Sequence, residues 1–156
     1  MDHSRRTTLQ VATGAGLYAA LVSIGMLKPG IASAQAFDKA SFQVKGIADT
    51  LKALGAAGAA ESAEVAITSP DIAENGAVVP VGIRSRLPKT EMMALLIDKN
   101  PRALAAAYEI LEGGVPDVAM RVKMGQSSDV VAVVKADGKF YMARKEIKVT
   151  LGGCGG

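Results

Sequence analysis

One feature of this 156-residue chain looks like chemistry: the thiol of Cys154, set within Gly152-Gly153-Cys154-Gly155-Gly156. A thiol reacts as thiolate, and an ordinary one with a pKa of about 8.5 is only a few per cent ionised near neutrality. No basic residue adjoins Cys154, and an extended run of glycines offers no helix N-terminus to lower its pKa. Activation must therefore come from whatever protein receives the thiol. That chemistry suits a carrier better than an enzyme. The single cysteine excludes an intrachain disulfide and a four-cysteine cluster. His3 is the one histidine, and it falls in a segment expected to be removed. Histidine-assisted hydrolysis and histidine-ligated zinc or haem leave the list of candidate chemistries with it.

The four glycines say how such a thiol would be presented. Glycine accepts almost any backbone angle and loses the most entropy when ordered, so residues 152–156 are expected to form a flexible arm with no side chain except the thiol. Cys154 lies three residues beyond Leu151, a reach of about 10 Å at roughly 3.3 Å per residue. A slim tether of this kind can enter a narrow channel in another protein. Three other readings compete. An accidental cysteine on a disordered end would be a liability in an oxidising compartment, because it forms intermolecular disulfides. A stand-alone thiol enzyme, a peroxidase or persulfide transferase, would have to work without histidine and without a second resolving cysteine. A carrier activated at a Gly-Gly carboxylate would need cytoplasmic ATP, which export denies it.

Export is legible at the other end. Arg5 and Arg6 precede an uncharged run from Thr7 to Leu27, and Ala32-Ser33-Ala34 follows Lys28-Pro29-Gly30. A charged n-region, an apolar h-region and a small-residue cleavage pattern in that order make a secretory signal. The paired arginines point to the twin-arginine route, with cleavage after Ala34 or Ala36. A permanent anchor would be poorly served by the run's Gly, Thr and Ser content, although its length could just span a bilayer. Loss of Arg5, Arg6 and Lys28 together with Asp2 leaves 15 basic and 14 acidic residues, net +1. A protein so nearly neutral gives little reason to expect nucleic-acid binding, and none is expected at the membrane once the signal is gone.

The elements that must position the arm follow from periodicity. The chain is 49 % hydrophobic and long enough for one domain with a real core. Val44, Ile47, Leu51 and Leu54 fall at three- and four-residue steps, an amphipathic helix whose stripe is expected on the domain's own face. Gly55 to Ala60 reads as a small-residue linker. Beyond it the period changes to two. Val65 and Ile67 alternate, Asn75-Gly76 and Asp137-Gly138 are strong turn dipeptides, and Val118, Met120, Val122 and Met124 share one side of a strand. Pro80, which lacks a backbone donor, predicts an edge strand or a bulge. Val130–Val134 and Phe140–Leu151 read as further strands. Ala103–Leu111 is read as a strand, although its alanines favour helix. Short strands punctuated by Gly and Pro predict a β-sandwich. The apolar runs at 118–124 and 130–134 exceed what one small sandwich need bury, which points to a β-protein partner.

Residues 72–81 (Ile72-Ala73-Glu74-Asn75-Gly76-Ala77-Val78-Val79-Pro80-Val81), Asn100-Pro101, Asp137-Gly138-Lys139-Phe140-Tyr141 and 148–156 together resemble the SoxY family. The resemblance covers nearly all of residues 38–156 and is loose only between Arg84 and Glu112. It implies the sulfur-carrying subunit of the SoxYZ complex of bacterial thiosulfate oxidation. It implies an immunoglobulin-like sandwich in the periplasm, paired with SoxZ and free of cofactors, with Cys154 as the covalent attachment point. SoxAX, a haem enzyme, would join thiosulfate oxidatively to that thiol as a cysteine S-thiosulfonate. SoxB, a metal-dependent hydrolase, would release sulfate, and SoxCD, where present, would oxidise the remaining sulfane sulfur. Co-export of a signal-less SoxZ would explain a route that carries folded proteins. The expected organisation is a signal at 1–34, a helical lead-in and linker at 35–60, a mostly β sandwich at 61–151 and the carrier arm at 152–156.

Overall fold

A computed structural model describes residues 39–150. A 3-10 turn, Lys39–Gln43, and a short helix, α1 (Ile47–Ala53), lead into nine strands. These are β1 (Ala60–Glu61), β2 (Val65–Thr68), β3 (Ile72–Ala73), β4 (Val79–Ser85), β5 (Thr90–Ile97), β6 (Leu104–Glu109), β7 (Asp117–Val122), β8 (Ser128–Ala136) and β9 (Lys139–Val149). One sheet has the order β1-β9-β8-β5-β6, with β3 also pairing β9, and the other has the order β2-β4-β7. The mostly β sandwich with a short N-terminal helix is what the residues predict, and its immunoglobulin-like form is what the resemblance implies. The segment 103–111 resolves in favour of strand. Its alanines lose their helical preference because β6 pairs antiparallel with β5, Ala106 opposite Leu95 and Ala107 opposite Ala94.

Between the sheets lies the inner core, where Val79, Val81 and Ile83 of β4 meet Met93, Leu95 and Ile97 of β5 and Val130, Ala132 and Val134 of β8. The other face of the larger sheet is covered too. Val131, Val133, Ala94 and Leu96 pack with Ile47 and Ala56, joined by Phe42, Leu51 and Leu54 from the lead-in. The amphipathic stripe therefore does lie on the domain's own face. Fully burying a Val, Leu or Ile side chain is worth about 1.5–3 kcal/mol, and the lead-in realises this for residues that would otherwise face water. This corrects one expectation. The apolar surplus of 130–134 is absorbed within the chain, because a strand with both faces covered reads as a continuous hydrophobic run.

Helix α1 ends in a Schellman closure. Gly55 adopts φ 73°, its N–H donates to the Lys52 carbonyl at 3.0 Å, and the Ala56 N–H donates to that of Leu51 at 2.7 Å. The left-handed position suits glycine. The closure turns the stretch 55–60, read as a linker, back onto the sheet, where Ala56 is fully buried and Ala60–Glu61 pair parallel with Tyr141–Met142.

The two turn dipeptides part company. Asp137 (φ 48°) and Gly138 (φ 73°) form the two-residue connection of the β8–β9 hairpin, the left-handed pair a type I′ turn requires. Glu91 braces it, accepting the Gly138 N–H at 2.9 Å and pairing with Lys135 at 2.8 Å. The Lys135 hydrogen bond and then the Gly138 amide hold the Glu91 carboxyl below its ordinary pKa. Asn75-Gly76 is a turn but not a hairpin. It carries the chain from β3, beside the larger sheet, across to β4 in the smaller one. Pro80 also departs from expectation, since β4 is the middle strand of its sheet. β2, however, pairs only with Gly82–Ser85, so Pro80 faces Arg121 of β7 on one flank and has no strand on the other. The missing donor is tolerated because the ladder has already ended there.

Candidate functional site

Cys154, Gly152, Gly153, Gly155 and Gly156 lie outside the described residues, as do Arg5 and Arg6. What the structure defines is the root from which residues 151–156 continue. At the end of β9, successive backbone N–H groups are taken alternately on opposite flanks. The Lys148 N–H donates to the Asp71 carbonyl at 2.9 Å and the Thr150 N–H to that of Ala73 at 3.0 Å. Between them, the Val149 N–H donates to Ser127 Oγ at 2.9 Å. β3 runs parallel to this stretch, Ile72 opposite Lys148 and Ala73 opposite Val149. Each such bond contributes about 0.5–1.5 kcal/mol net. Together they hold the backbone to the end of β9 at Val149 and fasten Thr150 just beyond it.

Loops from both sheets converge on this root. The Met124 N–H donates to the Gly76 carbonyl at 2.7 Å, and Asn100 Nδ2 donates to the Lys123 carbonyl at 2.8 Å. The Lys99 N–H donates to Ser128 Oγ at 3.0 Å, and Lys145 Nζ bridges the Ser69 carbonyl at 2.7 Å and the Asp71 carboxylate at 3.0 Å. The loops are thus tied to one another as well as to β9. Among the described residues no group of three or more His, Cys, Asp or Glu is placed to hold a metal, and no helix is long and apolar enough to cross a membrane.

Gly76 is the tightest point. A Cβ there would collide with the Met124 carbonyl oxygen and stand 2.8 Å from Val149 Cγ1. Its glycine is required by this close approach and not by a left-handed φ. Gly76→Ala should therefore lower stability by about 1–3 kcal/mol, the range for overpacking against backbone that must shift. The urea midpoint measures it. Gly58→Ala is the control: nothing lies within 4 Å of a Cβ there, so its midpoint should stay level or rise slightly. Equal midpoints for the two variants would contradict the close-packed root.

A family model and a solved structure say what this scaffold is. The family model described as "Sulfur oxidation protein SoxY" matches residues 51–154. The solved structure of the sulfur carrier protein SoxY from Chlorobium limicola f thiosulfatophilum is 33 % identical, with a TM-score of 0.59, covering 66 % of this chain and 96 % of that one. The chain belongs to the SoxY family. A superoxide reductase (neelaredoxin) variant from Ignicoccus hospitalis superposes with a TM-score of 0.50 at 19 % identity, over 64 % of this chain and 87 % of that one. That likeness shows only that the sandwich is shared. Among curated proteins no sequence matches. The SoxY family match contains the whole root, from Asp71 and Gly76 through Ser127 to Thr150, and runs through Cys154.

The residues that clamp the root were not legible beforehand. Asn75-Gly76 announced a turn but not the neighbour that Gly76 meets. Ser127 stands in an unremarked polar stretch, and its bond to Val149 spans 22 residues. The β3–β9 pairing joins positions further apart still, and periodicity reports only on one strand at a time.

Proposed function

We propose that this protein is a covalent carrier of thiosulfate-derived sulfur, working without catalysis of its own, in which Cys154 is the attachment atom. The observation that supports this most is that the family match runs through Cys154, the one cysteine of the chain. Residues 152–156 then serve as the carrier arm. Its base is held at Thr150 by the alternating bonds to Asp71, Ser127 and Ala73, so the thiol leaves the domain from a defined point. Loading would be oxidative. The thiol loses its proton, a sulfur–sulfur bond forms to thiosulfate, and two electrons pass to a SoxAX-type haem partner. A SoxB-type hydrolase would then release sulfate, with a SoxCD-type enzyme oxidising the sulfane sulfur where it is present.

The same reading places the mature protein in the periplasm, exported by the twin-arginine route through Arg5 and Arg6, and paired with a SoxZ subunit. The carrier needs no cofactor, since the redox and hydrolytic chemistry resides in the partners. Residues 39–150 contain neither cysteine nor histidine, so the folded domain has no imidazole or resolving thiol to offer Cys154. Steady-state assays test the division of labour. Purified chain with thiosulfate, or with peroxide, should show no turnover alone and should cycle only when the partner enzymes are added. Turnover by the isolated chain would establish a thiol enzyme instead.

A further inference from the structure

The two long sides of the sandwich are closed unequally. On one side the segments flanking β2 are fastened to β9, through Lys145 to Ser69 and Asp71 and through the Ser62 N–H to the Met142 carbonyl. On the other side lie β6 and β7, the edge strands of the two sheets. Among the described residues no hydrogen bond or ion pair joins them. In register across the smaller sheet, Val79, Val81 and Ile83 of β4 stand opposite Val122, Met120 and Val118 of β7. The β4 side chains are at most 2 % exposed, whereas their β7 neighbours, pointing the same way, are only half-buried. Across the gap, Ala106 and Tyr108 of β6 share the inner face with Leu95 and Met93, and they too are half-buried. The loop 110–116 that links the two edges carries Leu111 and Val115, each 78 % exposed.

The defences of an edge are unequal as well. Edge strands are ordinarily blunted by shortness, proline or charge. β2 has four residues. β6 has six, Leu-Ala-Ala-Ala-Tyr-Glu, with no charge or proline before its last position. β7 also has six and turns three apolar side chains into the gap. On its outward face Asp117 is neutralised by Arg84 at 2.9 Å, while among the described residues no hydrogen bond or ion pair is made by the side chain of Arg121 or by that of Lys123, just beyond the strand. The smaller sheet is thus one strand short of covering β6, and the outward side of that vacancy is uncompensated positive charge.

We propose that this open side is the docking surface of a separate β-protein, which adds an edge strand beside β7 with apolar residues turned inward and acidic ones outward. Strand addition of this kind draws affinity from main-chain bonds and specificity from alternate side chains. Segments of this chain suit the place poorly. Residues 151–156 supply only Leu151 and Cys154 as side chains beyond glycine, and residues 1–34 form the expected signal. A second copy would bring the same unpaired cations. The inference rests on the paired-subunit part of the proposed function, and it deepens that part by giving the pairing a location.

The test uses the full mature chain titrated with the SoxZ subunit of the same organism. Arg121→Glu combined with Lys123→Glu should weaken binding at least tenfold and lessen its dependence on salt. Lys139→Glu, an exposed charge on the far side, should leave it within twofold. Hydrogen exchange in the wild-type complex should slow at 104–109 and 117–122. Slowing on another face, with the double variant binding normally, overturns this placement alone. A wild-type chain that binds no SoxZ subunit overturns the paired reading together with it. Self-association protected at the same two strands would overturn the choice of partner by assigning the surface to a second copy.

Discussion

Cys154→Ser is expected to abolish sulfur loading completely while leaving the folded domain as it was. The hydroxyl that replaces the thiol cannot form a sulfur–sulfur bond, and no other cysteine exists to take the load. Stability should be untouched for an equally local reason. The described core runs from Val65 to Ile147, and a serine differs from a cysteine by a single atom, so the urea midpoint should shift by less than the roughly 0.5 kcal/mol usual for surface changes. Mass spectrometry after incubation with thiosulfate and the partner enzymes reads the first effect, and the unfolding curve reads the second. A serine variant that still gains a reducible sulfur adduct would contradict the assignment of the attachment atom.

The second large effect concerns reach. The backbone is held at Lys148, Val149 and Thr150 by bonds to alternate flanks, so any freedom the thiol enjoys must arise after them. Replacing Gly152-Gly153 with Pro-Pro fixes φ near −65° at both positions and restricts Leu151 before them. Turnover with the partner enzymes should fall by more than about tenfold, corresponding to roughly 1.4 kcal/mol or more in the transition state. Reaction with iodoacetamide, which needs no passage into a channel, should stay within about twofold, because a proline ring brings neither charge nor hydrogen-bond donor to the thiol. The pair of rates separates reach from reactivity. If the variant cycles normally with every partner, Cys154 works from a fixed position that the partners come to meet.

The legibility of the fold depended on how local its determinants are. Asp137-Gly138 carries its turn type in two residues, and the structure uses it as a hairpin. The alternation of Val118, Met120 and Val122 reports one buried side, and the structure shows that side facing the gap to β6. Asn75-Gly76 has the same local signature as the hairpin turn, yet its glycine answers to Met124 and Val149, which are distant in sequence. The missing donor of Pro80 predicts an edge strand or a bulge. The true reason it is tolerated, a neighbouring strand that stops two residues short, belongs to another segment of the chain. The excess of apolar residues in β8, read from the strand alone, points to a partner, because nothing in a strand's own pattern says that an upstream helix will cover its second face. Cys154 stands out as a thiol among glycines, a chemical oddity legible with no fold at all, and its role belongs to the proposed function.

The most direct measurement of the central claim is the intact mass of the mature protein, taken from cells oxidising thiosulfate, before and after treatment with a thiol reductant. The account predicts a chain lacking its first 34 or 36 residues and carrying a sulfur-containing adduct. That adduct should vanish on reduction and map by peptide fragmentation to Cys154. An unmodified thiol under active turnover, or an adduct that maps to any other residue, would contradict it.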